Sequence, residues 1–185
     1  IGVVAGAQGQ RWYDVNVQGR GSHAGSTPMP VRRDAMLACA RVTDGINRIA
    51  LNHAPAGMGT VGLVEVSPNS RNVIPGHVFL TVDLRHPDGG VLMAMDGEFV
   101  DLATRVAGDT RTEIAIECVL DLKPTRFNER CVTMVREAAQ KLNYSHRDIV
   151  SGPGHDAVNV ASLVPTAMIF VPCVDGISHN EVEAA

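Results

Sequence analysis

Between Trp12 and Leu122 the hydrophobic pattern switches repeatedly between a period of two and a period near 3.6, and the order of those switches limits the folds open to this chain. From Trp12 to Gln18, Tyr13, Val15 and Val17 alternate with Asp14, Asn16 and Gln18, which is a strand with one wet face. From Val31 to about Ala50 the apolar residues Ala35, Ala38, Val42, Ile46 and Ile49 recur at three and four, with Pro30 suited to a first helical turn. A second strand is expected from Met58 to Val66. A third sets Val78, Leu80, Val82 and Leu84 against Thr81, Asp83 and Arg85. Asp88 is a good cap for a helix that places Leu92, Met95, Phe99, Leu102 and Val106 on one stripe and stops at Gly108. A fourth strand runs from Thr112 to Leu122, with Ile114, Ile116, Cys118, Leu120 and Leu122 on one side.

Strand, helix, strand, strand, helix, strand is the order of a ferredoxin-like sandwich: a four-stranded antiparallel sheet with both helices on one face and the other face bare. Beyond Lys123-Pro124 the character changes. Asn128 caps a helix bearing Val132, Val135, Ala139 and Leu142, and SGPGHDAVNVASLV reads as a glycine-rich turn into a short helix. Thr166 to Val171 is an unbroken apolar run, expected to be a strand buried on both faces. So little α/β sheet cannot make a domain alone, so the sandwich is expected to be an insert in a larger domain whose first part precedes Ile1. The expected fold is α+β, with residues 1–10 the end of a catalytic-domain segment or a linker, 11–123 the βαββαβ lid and dimerisation sandwich and 124–185 the C-terminal part of the split α/β catalytic domain.

The sequence of 185 residues is 45% hydrophobic with a formal net charge of -4 and no basic run, which argues against binding nucleic acid or an anionic membrane. No stretch approaches the ~20 apolar residues of a membrane span. Cys39, Cys118, Cys131 and Cys173 are widely spaced and read mostly as buried free thiols in a reducing compartment, hence a cytoplasmic setting.

Chemistry is offered in four places. Arg85, at the end of a strand with a packed floor, can grip a carboxylate through two parallel hydrogen bonds, with Asn72 of PNSRNVIPG completing the grip; the same arginine could equally be a solvated charge or half of an ion pair. His23, in GSHAGSTP, is either a solvated loop histidine or an imidazole that polarises a carbonyl. The turn Gly152–Asp156 either offers backbone N–H groups to an anion or only lets Asp156 cap a helix. His179 follows a buried strand, but one histidine does not make a zinc site, and no HExxH motif or Cys/His cluster occurs. A GxSxG elbow is also absent.

Four stretches together, GQRWYDVNVQGRGSHAGSTPMPVRRDA, PNSRNVIPG with DLRHPD, SGPGHDA, and PTAMIFVPCVDGISHNEVE, resemble the hydantoinase/carbamoylase branch of the di-zinc aminoacylase and carnosinase superfamily, over essentially the whole chain. That resemblance implies a metal-dependent amidohydrolase acting on the carbamoyl C–N bond of N-carbamoyl-L-amino acids or related ureido acids. It also implies an inserted lid that makes a homodimer, and two divalent metal ions (zinc, manganese, cobalt or nickel) in the intact enzyme. By motif, His23 resembles the residue that reaches the partner subunit's site to polarise the scissile carbonyl. Asn72 and Arg85 resemble the substrate-carboxylate pair, Gly154 a backbone substrate contact, and His179 a metal ligand. Pro153, where a small residue is common, removes one backbone donor from its turn. The remaining metal ligands and the glutamate base belong to motifs not found in these residues, so the chain alone is expected to be inactive, without a complete metal site. Allantoate amidohydrolase is the nearest alternative, and a non-catalytic dimerisation or ligand-binding module the alternative of another class.

Overall fold

Strand β1 (Gly2–Ala7) and the residues from Pro124 onward form one compact unit of the computed structural model, and Gly9–Lys123 forms another; residues 1–178 and 180–185 are described.

The unit Gly9–Lys123 contains β2 (Gly9–Gln18), β3 (Ser22–His23), α1 (Ala35–Asn52), β4 (Met58–Ser67), β5 (Val73–Ile74), β6 (His77–His86), α2 (Gly89–Thr110) and β7 (Glu113–Leu122). Its sheet has the order β4-β6-β2-β7 with every neighbour antiparallel, and β3 pairs with β5 as a separate ribbon. The expected ferredoxin-like order is therefore the observed one. Val15, Val17, Val78, Leu80, Val82 and Leu84 point to one side and are buried against Ala38, Val42 and Ile46 of α1 and Leu92, Met95 and Phe99 of α2. Burying each larger side chain is worth roughly 1.5–3 kcal/mol, enough to hold two helices on one face of the sheet. The rings of Tyr13 and Phe99 meet edge to face at 5.2 Å.

Three expectations for this unit are corrected. Helix α1 begins at Ala35 rather than Val31, because the Asp34 carboxylate accepts from the N–H groups of Met36 and Leu37 and fixes the cap there; Pro30 lies in a preceding 3-10 turn. Helix α2 continues past Gly108 to Thr110, where the Thr110 hydroxyl bonds to the Val106 carbonyl and meets Thr112 at 2.8 Å. The register of β2 against β7 shifts between Trp12 and Tyr13, so Val119 forms a bulge. Side chains therefore swap faces beyond it. Leu120 and Leu122 stand opposite Trp12 and Gln10, away from the helices, while Cys118 stands opposite Tyr13.

In the other unit β1 is the central strand. It pairs in parallel with β9 (Arg147–Ser151) and antiparallel with β8 (Thr125–Arg126) and β10 (Met168–Phe170). Helix α3 (Glu129–Lys141) is capped by Asn128 as expected, and α4 (Asp156–Ala161) is short. The core is small: Val3, Val4, Phe127 and Val132 are buried. The strand expected to be covered on both faces is shorter and half exposed, with Ile169 53% accessible. β9 went unseen in the sequence because RDIVS lacks the alternation of a half-buried strand. All four cysteines are free, but of these only Cys39 is buried. Among the described residues no helix is long and apolar enough to cross a membrane.

Candidate functional site

The short ribbon β3–β5 places His23. Ser22 faces Ile74 and His23 faces Val73, and the N–H of Ala24 donates to the Asn72 carbonyl at 2.8 Å. The strands can approach this closely because a side chain on Gly76 would run into the backbone nitrogen of Gly21 at 2.7 Å. Asn72 is thus a neighbour of His23, and both are exposed. The N–H groups of Gly25 and Ser26 both donate to His23 Nδ1, at 3.1 and 3.2 Å. An Nδ1 that accepts carries no proton, so in the neutral ring the proton sits on Nε2, which becomes a donor. Such a ring can donate to a carbonyl oxygen or a developing oxyanion. Arg32, passed over in the sequence, braces this loop: its Nε donates to the Thr27 carbonyl at 3.0 Å and its Nη2 to that of Ala24 at 2.6 Å. Nothing short of the folded loop marks that arginine among its neighbours in PVRRD.

Arg85 lies on the sheet face that the helices leave uncovered, with Leu84 and Val82 buried beneath its strand. It is tied to Asp83, two residues earlier on the same face: Nε donates to both carboxylate oxygens at 3.0 and 3.1 Å, and Nη2 donates at 2.6 Å. Both side chains are 25% accessible. Beside Asp83 the same face carries a hollow of about 340 Å³ lined by Trp12, Asp14, Thr60, Gly62, Thr81 and Val119. Its size is that of a small-ligand site.

Arg85 and Asn72 do not converge, which corrects the expectation of a joint grip from one chain. Asn72 precedes β5 at the end of the sheet where β6 begins with His77, whereas Arg85 pairs with Met58 and Gln10 at the opposite end. At about 3.4 Å per residue the strand from His77 to Arg85 alone spans roughly 27 Å, far more than a small acid. The sequence separation misled because both residues flank one strand, and a strand is a spacer.

In the unit around β1, Gly154 sits exposed in the turn before α4, and a Cβ there would meet nothing within 4 Å. The turn is held by Ser151 Oγ donating to the Pro153 carbonyl at 2.8 Å and by the Gln8 N–H donating to the Ser151 carbonyl at 3.0 Å. His155, not Asp156, occupies the cap position, and it makes no side-chain capping bond. His179 lies outside the described residues. Among those described, no three His, Cys, Asp or Glu side chains converge as a metal site would require.

The Peptidase family M20/M25/M40 model matches residues 6–185. An N-carbamoyl-L-amino-acid amidohydrolase of Rhizobium meliloti is 44% identical over 183 residues, covering 99% of this chain and 44% of that protein. An allantoate amidohydrolase of Escherichia coli (strain K12) is 37% identical over the same length, with the same shares of each chain. Among solved structures, an amidase of the hydantoinase/carbamoylase family from Burkholderia multivorans superposes with a TM-score of 0.94 at 59% identity, over 100% of this chain and 45% of that one. The chain therefore spans less than half the length of the relatives it matches.

Proposed function

Since the chain belongs to Peptidase family M20/M25/M40, we propose that the full-length protein hydrolyses the carbamoyl C–N bond of N-carbamoyl-L-amino acids, releasing the free amine, carbon dioxide and ammonia. What carries this reading is the Arg85 guanidinium, held by Asp83 on a rigid strand over a packed floor, on the sheet face that the helices leave uncovered, in a chain whose relatives carry the names given above. An anchored fork of this kind suits a substrate carboxylate.

His23, in its Nε2–H form, donates to the carbamoyl oxygen and stabilises the tetrahedral intermediate. Because Asn72 travels with His23 and lies far from Arg85, the His23–Asn72 pair acts in one active site and the Arg85 of the same protomer in another. That arrangement calls for a homodimer, with Gly9–Lys123 as lid and dimerisation domain and the residues around β1 as part of the catalytic domain. Gly154 adds a backbone contact to the substrate, and His179 ligates one of two divalent metals. The described residues do not by themselves make a metal site.

Ammonia release by the metal-loaded full-length protein, from a panel of N-carbamoyl-L-amino acids, allantoate and ureidoglycolate, tests the reading. The N-carbamoyl acids should give the highest kcat/KM. Turnover of allantoate alone would favour the second reading, allantoate amidohydrolase, which the 37% identical relative supports and for which the same anchors would serve.

A further inference from the structure

We infer that Asp83 is the positioning residue for carboxylate recognition at Arg85, an inference that rests on the reading above. Asp83 and Arg85 stand two residues apart on β6, so both project from the uncovered face of the sheet. The strand register sets Trp12 and Thr60 beside Asp83, and Gln10 and Met58 beside Arg85. None of these four is charged, so the register gives Arg85 an acidic neighbour along its own strand and not across it.

A guanidinium is planar and its five N–H groups form a fixed fork. With Nε and Nη2 turned onto the Asp83 carboxylate at 2.6–3.1 Å, the plane of the group and the direction of its remaining hydrogens are set before any ligand arrives. A free arginine would lose rotamer freedom on gripping an acid. One already held has lost it on folding, and binding is tighter for that reason.

Charge alone predicts the opposite. A carboxylate beside an anion site repels the incoming acid, and the Asp83 and Arg85 charges largely cancel at a distance. If Asp83 acted only through its charge, replacing it with a neutral isostere would tighten substrate binding. If it positions Arg85, the same replacement loosens binding, because an asparagine has one accepting oxygen where the carboxylate has two. The two accounts differ in sign.

The test uses full-length Asp83→Asn, assayed on an N-carbamoyl-L-amino acid and on its carboxamide, which lacks the carboxylate. The KM for the acid should rise about tenfold or more with kcat within about threefold, and kinetics on the carboxamide should not change. In an Arg85→Gln background Asp83→Asn should add nothing, since it acts through the missing fork, and Asp83→Glu should restore part of the acid's KM. An unchanged or lower KM for the acid would overturn the inference. So would equal losses on acid and carboxamide, or a loss that persists without Arg85, since these mark a merely structural residue. Should the wild type hydrolyse the N-carbamoyl acid normally while Asp83→Asn behaves like it, this inference fails alone. Should the wild type turn over no carbamoyl or ureido acid, the proposed function fails and takes this inference with it.

Discussion

The two ends of the sandwich sheet hold their polar residues by different means. At one end His23 and Asn72 sit on a two-stranded ribbon, and their geometry is made by backbone bonds: His23 against Val73, the Ala24 N–H on Asn72, and two loop N–H groups on the imidazole. At the other end Arg85 is set by a side-chain ion pair on a strand flanked by β2 and β4, over buried Val82 and Leu84. The first end is exposed and depends on a glycine-rich loop; the second is half shielded and carries a carboxylate beside the guanidinium. A strand of about 27 Å between them means that one small acid cannot touch both in one chain. Two separate sets of polar groups at opposite ends of one sheet suit the proposed two-fold assembly, in which each set would serve a different site.

The largest expected effect is at the arginine end. Arg85→Gln should lower kcat/KM for a carbamoyl acid by roughly 30- to 1000-fold, corresponding to about 2–4 kcal/mol for losing one partner of a desolvated charge pair. Melting temperature should barely move, because the side chain is not in the core. An equal loss on a substrate without a carboxylate would remove the distinction drawn between the ends.

A smaller effect is expected at the loop end. Arg32→Ala removes two bonds to the Thr27 and Ala24 carbonyls. At about 1 kcal/mol for each such bond, the His23 loop should loosen enough to cost up to about 30-fold, seen mainly in kcat. A change confined to KM would show that the loop binds substrate but does not polarise it.

The smallest effect at neutral pH concerns Tyr13, whose ring packs beneath the sheet near the arginine end. Burial, and then a hydrogen bond from its hydroxyl to Asp96 at 2.6 Å, push its pKa well above the ordinary tyrosine range. The folded state thus favours the neutral phenol, and that stability is whole below about pH 10, where an unfolded tyrosine ionises, and declines above it. The buried Cys39 thiol is also pushed up by desolvation, so its contribution is likewise whole below about pH 8.5, where an unfolded thiol ionises, and declines above it. Denaturant titrations above pH 10 should therefore show a shallower decline for Tyr13→Phe than for the wild type. Identical slopes would mean that the phenol is not held neutral by the fold.

The sandwich was legible because its strands and helices carry clean periods and its cap Asp88 sits where residue type predicts. What was illegible has a local cause. The bulge at Val119 reverses side-chain parity without any change in composition, and the start of α1 was decided by Asp34 and not by the proline before it. The unit around β1 was harder because its central strand pairs with segments far away in sequence, β9 and β10, so the short runs had no local partner to announce them. His23 and Arg85 could be singled out from residue type and motif. Their separation could not, because it depends on which end of β6 each one meets, and the ion pair of Arg85 with Asp83 appears only once the strand puts both on one face.

Subunit complementation tests the two-site account most directly. Full-length His23→Ala and Arg85→Gln, each nearly inactive, would be mixed, dissociated and reassociated. If His23 serves the partner's site and Arg85 its own, random pairing makes half the dimers hybrid, each with one intact site, and activity should return to about a quarter of wild type. No recovery, with hybrids demonstrated by mass, would contradict the account and put both residues in the same protomer's site.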